Sequence, residues 1–276
     1  MSFFVYRCYC NWQLRYWLSE NLILWDRGEN YLIPLQVIRQ NCIFGGNNYV
    51  QMNNMRTLEE LIDIEDSGWN LIREWMRTAK NQYLLLPKDQ ERANKELLNA
   101  QVTTHSTMGA IIYETGGILF DYGWIRVLGS GNSKLNRGLM EWNKGKSFKK
   151  YGEQPSFLLI ADDVIGGYFA INAGKLGTDI GKVYYLAPDT MEWENLEIGY
   201  SDFIYWLFNG NIQQFYENFK WKTWKEDLEQ VDGNQTFFIF PFLWTKEGED
   251  IEKADKKLVP TEENYALTTD MFNQLF

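Results

Sequence analysis

Four glycine-punctuated runs lie between Tyr113 and Leu207: YETGGILFDYGWIRVLGSG (113–131), PSFLLIADDVIGGYFAIN (155–172), GKVYYLAPDTMEWENLEIG (181–199) and the opening of YSDFIYWLF (200–208). β-branched and aromatic residues fill them and glycines divide them, which is the composition of strands joined by turns. GAIIY (109–113), ILFDYGWIRVL (118–128), FLLIA (157–161), GYFAIN (167–172) and GKVYYLA (181–187) all read as strands. FFIFPFL (237–243) reads as a late strand, with Pro241 at an edge or bulge because proline has no N–H for a ladder. Helices are expected over 134–143 behind Ser133, over 202–208 capped by Ser201, in 211–219, and over 262–276 at the end of the chain.

Upstream the period is helical. Thr57 and Glu60 have capping-box spacing, and Ser67 can cap a helix whose Leu71, Ile72, Trp75, Met76 and Ala79 face one way. Pro87 ends that unit. Residues 88–99 form an exposed helix with Ala93, Leu97 and Leu98 turned inward. The expectation is an α+β fold: a mixed, mainly antiparallel sheet flanked by helices.

Composition sets the outer bounds. The chain has 276 residues, 45% of them apolar and 16% aromatic, which is ample for a packed core. The longest apolar runs, FIYWLF (203–208) and FFIFPFLW (237–244), are far too short to span a bilayer. Arg7 interrupts the apolar N-terminus and no small-residue cleavage site follows, which makes a poor signal peptide, so a cytoplasmic location is expected. Net charge is −10 and there is no basic stripe, which argues against nucleic acid and anionic membrane as partners.

Residues 1–54 differ from the rest. All three cysteines (Cys8, Cys10, Cys42) lie there, and its four basic residues are all arginine. The 222 residues from Met55 onward carry 17 lysines, no cysteine and a net charge of −11, from 23 basic and 34 acidic groups. The expectation is an N-terminal extension over 1–54, one reading of it being in-frame translation of upstream sequence, and a single α+β domain over 55–276. A chain beginning at Met55 should melt within a few degrees of the full one, which paired thermal melts would check.

No catalytic set emerges. His105 is the sole histidine, lies in TTHSTMG, and has no nucleophile motif beside it. Ordinary zinc sites are excluded by the same count. Asp121, Asp162 and Asp163 sit at strand ends, where they cap turns or hold Mg²⁺ or Ca²⁺, and the cap is the commoner use. VLGSGNSK (127–134) has the outline of a phosphate cradle, with Gly129, Gly131, Ser133 and Lys134. Its spacing fits neither a Walker A loop nor a dinucleotide fingerprint, so a glycine-rich turn is the better reading. The pairs Glu192/Glu194 and Glu247/Glu249 carry no glycosidase signal in a chain with 37 acidic residues. Phe203, Trp206, Leu207 and Phe208 read as core, with Trp221 and Trp224 partly exposed.

The order of features carries more than any single motif. A helix ends in Gly116-Gly117; a strand pair surrounds Asp121-Tyr122-Gly123; an LGSG turn follows at 128–131. Then come Trp142-Asn143, Pro155, FLLIADDVIGGYFAIN, GKVYYLAPDT, Trp193 and a helix opening SDFIYWL. This order resembles the SUKH superfamily of bacterial immunity proteins and yeast cell-wall regulators, over about residues 84–219. Within it, TMGAIIYETGGILFDYGWIRVLGSG resembles a bacterial family of unassigned function. The segments 220–276 and 1–54 depart from many members. The resemblance implies a sheet flanked by helices, no cofactor, and a non-enzymatic protein-binding role, often against a toxin. The acidic balance suits a basic toxin as partner. Asp162, Asp163, Glu192 and Glu194 are the expected contact residues, chosen for charge and exposure. Two alternatives stay open: an enzyme or small-ligand protein using the strand-end aspartates, and a structural or regulatory protein with no toxin.

Overall fold

The structure, a computed structural model, describes residues 55–275. It begins with two short helices, α1 (Leu58–Leu61) and α2 (Trp69–Arg77). The Thr57 N–H donates to Glu60 Oε2 at 2.7 Å, closing one arm of the expected capping box. Ser67 Oγ accepts from the Trp69 N–H at 3.2 Å, although the capping position itself is Gly68. Ile72 and Trp75 point into the core, while Leu71 is exposed.

Strand β1 (Tyr83–Leu86) ends at Pro87, and Asp89 caps α3 (Gln90–Ala100) by accepting from the Arg92 N–H at 2.9 Å. Ala93 and Leu97 face inward as expected, but Leu98 does not; Glu96 is buried on that side instead. GAIIY is not a strand. It lies in α4 (Thr107–Glu114), capped by Ser106 Oγ on the Gly109 N–H at 3.0 Å. Ala110, Ile111 and Ile112 are all fully buried, so this helix has no polar face to write its period into the sequence.

Seven strands then form one sheet in sequence order: β1, β2 (Gly117–Phe120), β3 (Ile125–Leu128), β4 (Phe157–Asp163), β5 (Tyr168–Asn172), β6 (Val183–Leu186) and β7 (Trp193–Asn195). Every pairing within it is antiparallel, so the α+β class holds and the sheet is a plain meander. Helices α6 (Tyr200–Asn209) and α7 (Ile212–Phe215) cover one face, with Phe203 tilted on Phe169 and Phe208 edge-on to Phe120. The other face carries α5 (Leu139–Asn143), the hairpin β8 (Gln235–Phe240) and β9 (Asp255–Pro260), and α9 (Thr261–Leu275), whose Tyr265 ring meets Tyr168 edge-on. A short helix α8 (Trp224–Leu228) precedes the hairpin. With both faces covered, the central strands are buried on both sides and mostly apolar rather than alternating, with Arg126, Asp162, Asp163 and Asn172 as the buried polar exceptions.

Three helix expectations shift. The segment 134–143 is helical only as α5, because Asn132 and Leu135 form a bridge and Asn132 Oδ1 takes the Lys134 N–H at 3.0 Å. Gly199, not Ser201, precedes α6; Ser201 Oγ instead bonds Thr107 Oγ1 at 2.7 Å. The 211–219 segment is helical only through α7. Asn143 has a role the sequence did not announce. Its amide donates to Leu159 O and accepts from Leu159 N, each at 2.8 Å, supplying a strand-like partner where the β4–β5 register shifts.

The glycine-rich turn is closed by protein. The Ser130 and Gly131 N–H groups donate to the Thr115 and Gly116 carbonyls at 3.0 and 2.9 Å, and Arg92 Nε donates to Ser130 O at 3.1 Å. A Cβ on Gly129 would lie 2.6 Å from Thr115 O and 2.7 Å from the Gly117 nitrogen, both backbone atoms that cannot swing away. Gly129→Ala should therefore cost about 1–3 kcal/mol in urea melts, as overpacking of a rigid site does. A neutral result would show that the turn yields. Among the described residues, no helix is long and apolar enough to cross a membrane.

Candidate binding groove

Successive side chains on a strand point to opposite faces, and this separates Asp162 from Asp163. Asp162 faces the hairpin, where Arg126 Nε donates to its Oδ1 at 2.5 Å and Arg137 donates to its Oδ2. The Arg126 guanidinium also reaches Asp163 O at 2.9 Å, Thr236 Oγ1 at 3.1 Å and Gln235 O. Asp163 faces the helices and accepts from Tyr185 (2.7 Å), Tyr216 (2.9 Å) and the Gly167 N–H (2.8 Å). Burial pushes the Asp163 carboxyl above its ordinary pKa, and those three hydrogen bonds oppose the rise. Both aspartates are buried, so the exposure expected of them as partner contacts is not there.

The other candidates are also committed. Asp121 pairs with Lys220 and accepts from Gln213 at 3.0 Å; Trp224 and Trp124 lie 4.3 and 5.4 Å from the same ammonium. His105 Nδ1 lies 3.0 Å from Asp66 O in an exposed loop. Trp221 is buried, against expectation, while Trp224 is partly exposed. Among the described residues, no three His, Cys, Asp or Glu side chains converge as a metal site would need.

Glu192 is exposed on the turn that joins β6 to β7, whereas Glu194 is half-buried within β7, less open than a contact residue was expected to be. That turn is tight. Met191 N–H donates to Ala187 O at 2.9 Å, and Met191 has a left-handed backbone (φ 56°). Thr190 Oγ1 donates to Glu194 Oε1 at 3.2 Å, and Asp189 Oδ1 is buried with no hydrogen-bond partner. Burial first, then the charge of Asp189, pushes the Glu194 carboxyl up to about 7; burial also raises Asp189.

Pro188 and Met191 of this turn wall a small open groove. Its other walls are Phe238, Phe242 and Trp244 of the hairpin region and Leu267 and Met271 of α9. Phe242 stacks on Trp244 at 5.2 Å and takes Phe238 edge-on at 5.7 Å, which stiffens one side. Leu267 is 41% exposed at the mouth, and Phe240 beyond it is 54% exposed.

The extent of this architecture in other chains bears on how it is read. A family model described as "Protein of unknown function DUF2625" matches residues 58–264, from α1 to the first turn of α9. The chain belongs to the DUF2625 family. An uncharacterised protein of Haemophilus influenzae is 48% identical over 211 residues, which is 76% of this chain and 92% of the relative. An uncharacterised protein of Escherichia coli K12, YbfG, is 43% identical over 195 residues, 71% of this chain and 88% of the relative. No solved structure matches. The family match takes in the acidic turn, the hairpin and the start of α9, so most of the groove lies within it.

The uncompensated acids carry a pH signature. Glu194 holds its proton more tightly folded than unfolded, where its value is near 4.5. A carboxyl raised by folding destabilises the fold once both states should ionise, so stability falls as pH rises from about 4.5 to about 7. Glu194→Gln should therefore raise stability by about 1–3 kcal/mol at pH 8 and change little at pH 4. Urea melts at both values check this; equal effects at the two would remove the assignment.

Proposed function

We propose that this chain is a non-enzymatic protein-binding module of SUKH-like fold, and that it acts as an immunity protein neutralising a toxin. The observation that carries the reading is the aromatic groove between the hairpin and α9, with Leu267 exposed at its mouth and Phe240 exposed beyond it. Large exposed apolar surface on a folded protein marks an interaction site, and aromatic anchors are the side chains that bind partners most strongly. The net −11 over residues 55–276 would speed encounter with a basic toxin and exclude acidic competitors. The aspartates that an enzyme could have used are held by arginine, lysine and tyrosine partners instead.

The test is growth rescue. Each protein encoded beside this gene would be expressed alone and together with the chain. One neighbour is expected to arrest growth alone and to be tolerated with the chain, forming a complex that survives size-exclusion chromatography. If no neighbour is toxic, or a toxic one is not relieved, the immunity role is lost.

A further inference from the structure

We propose that the β6–β7 turn (188–192) is a proton-locked gate on the groove. While Asp189 and Glu194 keep a proton the turn sits shut, with Pro188 and Met191 in the groove wall. When both ionise the turn swings outward and takes that wall away. The purpose of the gate rests on the protein-binding reading above, because it governs the surface that reading uses; the motion itself does not.

The turn has two sides of different chemistry. One is apolar: Pro188 and Met191 line the groove beside Ile165 and Gly166 of the β4–β5 turn, and Met191 is 4% exposed. The other is acidic. Glu194 is the register partner of Tyr185 and so shares its face, where Tyr185 stacks on Phe169 and meets Phe215 of α7 edge-on. Asp163 lies on the same face and holds the hydroxyls of Tyr185 and Tyr216. Burial raises the carboxyls of Asp189 and Glu194 first; Asp163 then acts on Asp189, and Asp189 and Glu192 act on Glu194. The groups that face the pair are thus Asp163 from β4, Tyr185 from β6, Thr190 and Glu192 from the turn, and Tyr216 at the end of α7. Every charge that bears on the pair is another carboxylate.

The turn is also lightly held. β7 is the last strand of its sheet and spans only Trp193–Asn195. The backbone bonds that close the turn run from Met191 N–H to Ala187 O at 2.9 Å, from Thr190 N–H to the same oxygen at 3.4 Å, and from Ala187 N–H to Glu192 O at 3.2 Å. Met191 keeps a left-handed backbone, which costs free energy in a residue other than glycine. Asp189 Oδ1 is buried with no donor among the described residues. Two ionised carboxylates there would share a dry site with no counter-ion, and moving 188–192 into water relieves both. Because Pro188 and Met191 sit on the same short turn, that relief opens the groove.

Amide hydrogen exchange of the full chain, corrected for the intrinsic effect of pH, tests this. Opening returns Glu194 from about 7 to near 4.5, so exchange at Ala187 and Met191 should quicken about tenfold between pH 6 and pH 8 and then level off. At pH 8 both amides should exchange faster than those of β4, because the turn opens without the sheet. Glu194→Gln should hold the change below about twofold. Asp189→Asn, which removes the neighbouring charge, should move the levelling-off to lower pH. The proposal is overturned by equal exchange at the two pH values, by the same quickening in Glu194→Gln, or by Asp189→Asn leaving the levelling-off in place. Protection equal to that of β4 also overturns it, since the turn would then move only when the whole fold does. None of these measurements needs a partner. A chain whose turn opens but which rescues no neighbour keeps the gate and loses the toxin. A chain that rescues growth with a turn indifferent to pH keeps its protein-binding role and loses the gate.

Discussion

Arg126→Met is expected to destabilise the protein by about 3–5 kcal/mol, the cost of breaking a buried ion pair from one side. The side chain is 1% exposed and supplies donors to Asp162 Oδ1, Asp163 O, Thr236 Oγ1 and Gln235 O. Methionine fills much of the space but leaves those acceptors dry. Arg137 still holds one oxygen of Asp162, so the carboxylate is not wholly orphaned. Arg126→Lys should rescue little, because an ammonium cannot reproduce the planar fork that spans two strands and the hairpin. Burial itself pulls the Arg126 pKa down, and Asp162 opposes that fall. Urea melts give the magnitude, and hydrogen exchange gives the place. The amides of β8 should lose protection before those of β4, since two of the broken bonds end on Gln235 and Thr236. A loss under about 1 kcal/mol would mean that water enters and replaces the guanidinium.

Trp124→Ala should have a comparable effect, about 3–5 kcal/mol, through the void it leaves. Trp124 is fully buried, with Tyr216, Trp221 and Trp224 at ring-centroid distances of 5.6, 5.7 and 5.4 Å. It stands where the β2–β3 turn, α7 and α8 meet, so no single element can close over the gap. Its indole N–H has no hydrogen-bond partner. Trp124→Phe therefore removes an unsatisfied donor along with some volume, and should cost clearly less than alanine. Calorimetric melts of the two variants separate packing from the polar atom. If phenylalanine were as damaging as alanine, the indole nitrogen would have to be making a bond through water.

The strands of the central sheet were readable because aromatic and β-branched runs between glycines have few other uses. The capping box at Thr57 and the presence of the closing helix were readable for a similar local reason, while Gly68 takes the position expected of Ser67. GAIIY misled because a helix buried on all sides loses its 3.6-residue period, and what remains looks like a strand. The 134–143 helix misled because Asn132 uses its side chain to make a turn that propensity does not see. Asp162 and Asp163 were the costlier error. Adjacent acids at a strand end suggest a solvated edge, and only the covering of both faces makes them two separate buried sites. Arg126 is the signal in the sequence for this pairing: an arginine inside WIRVL needs a carboxylate on the neighbouring strand. Nothing in the sequence pointed to the groove: Glu192 and Glu194 do not line it, and Phe238, Trp244 and Leu267 come together only through the hairpin and α9.

The strict sequence order of the meander bears on how the protein is made. Each strand from β1 to β7 pairs with the one synthesised just before it, so the sheet can assemble as the chain emerges, with contacts local in sequence. The hairpin comes last. Until residues 233–236 leave the ribosome, Arg126 and Arg137 lack the carbonyls of Gln235 and Gly233, and with Asp162 they stand on an open sheet face. Two cations and an anion keep that face wetted at the stage when an unfinished sheet is most prone to stick to other chains. The ion cluster that ends up buried in the finished protein thus serves first as a solubilising patch on a nascent one.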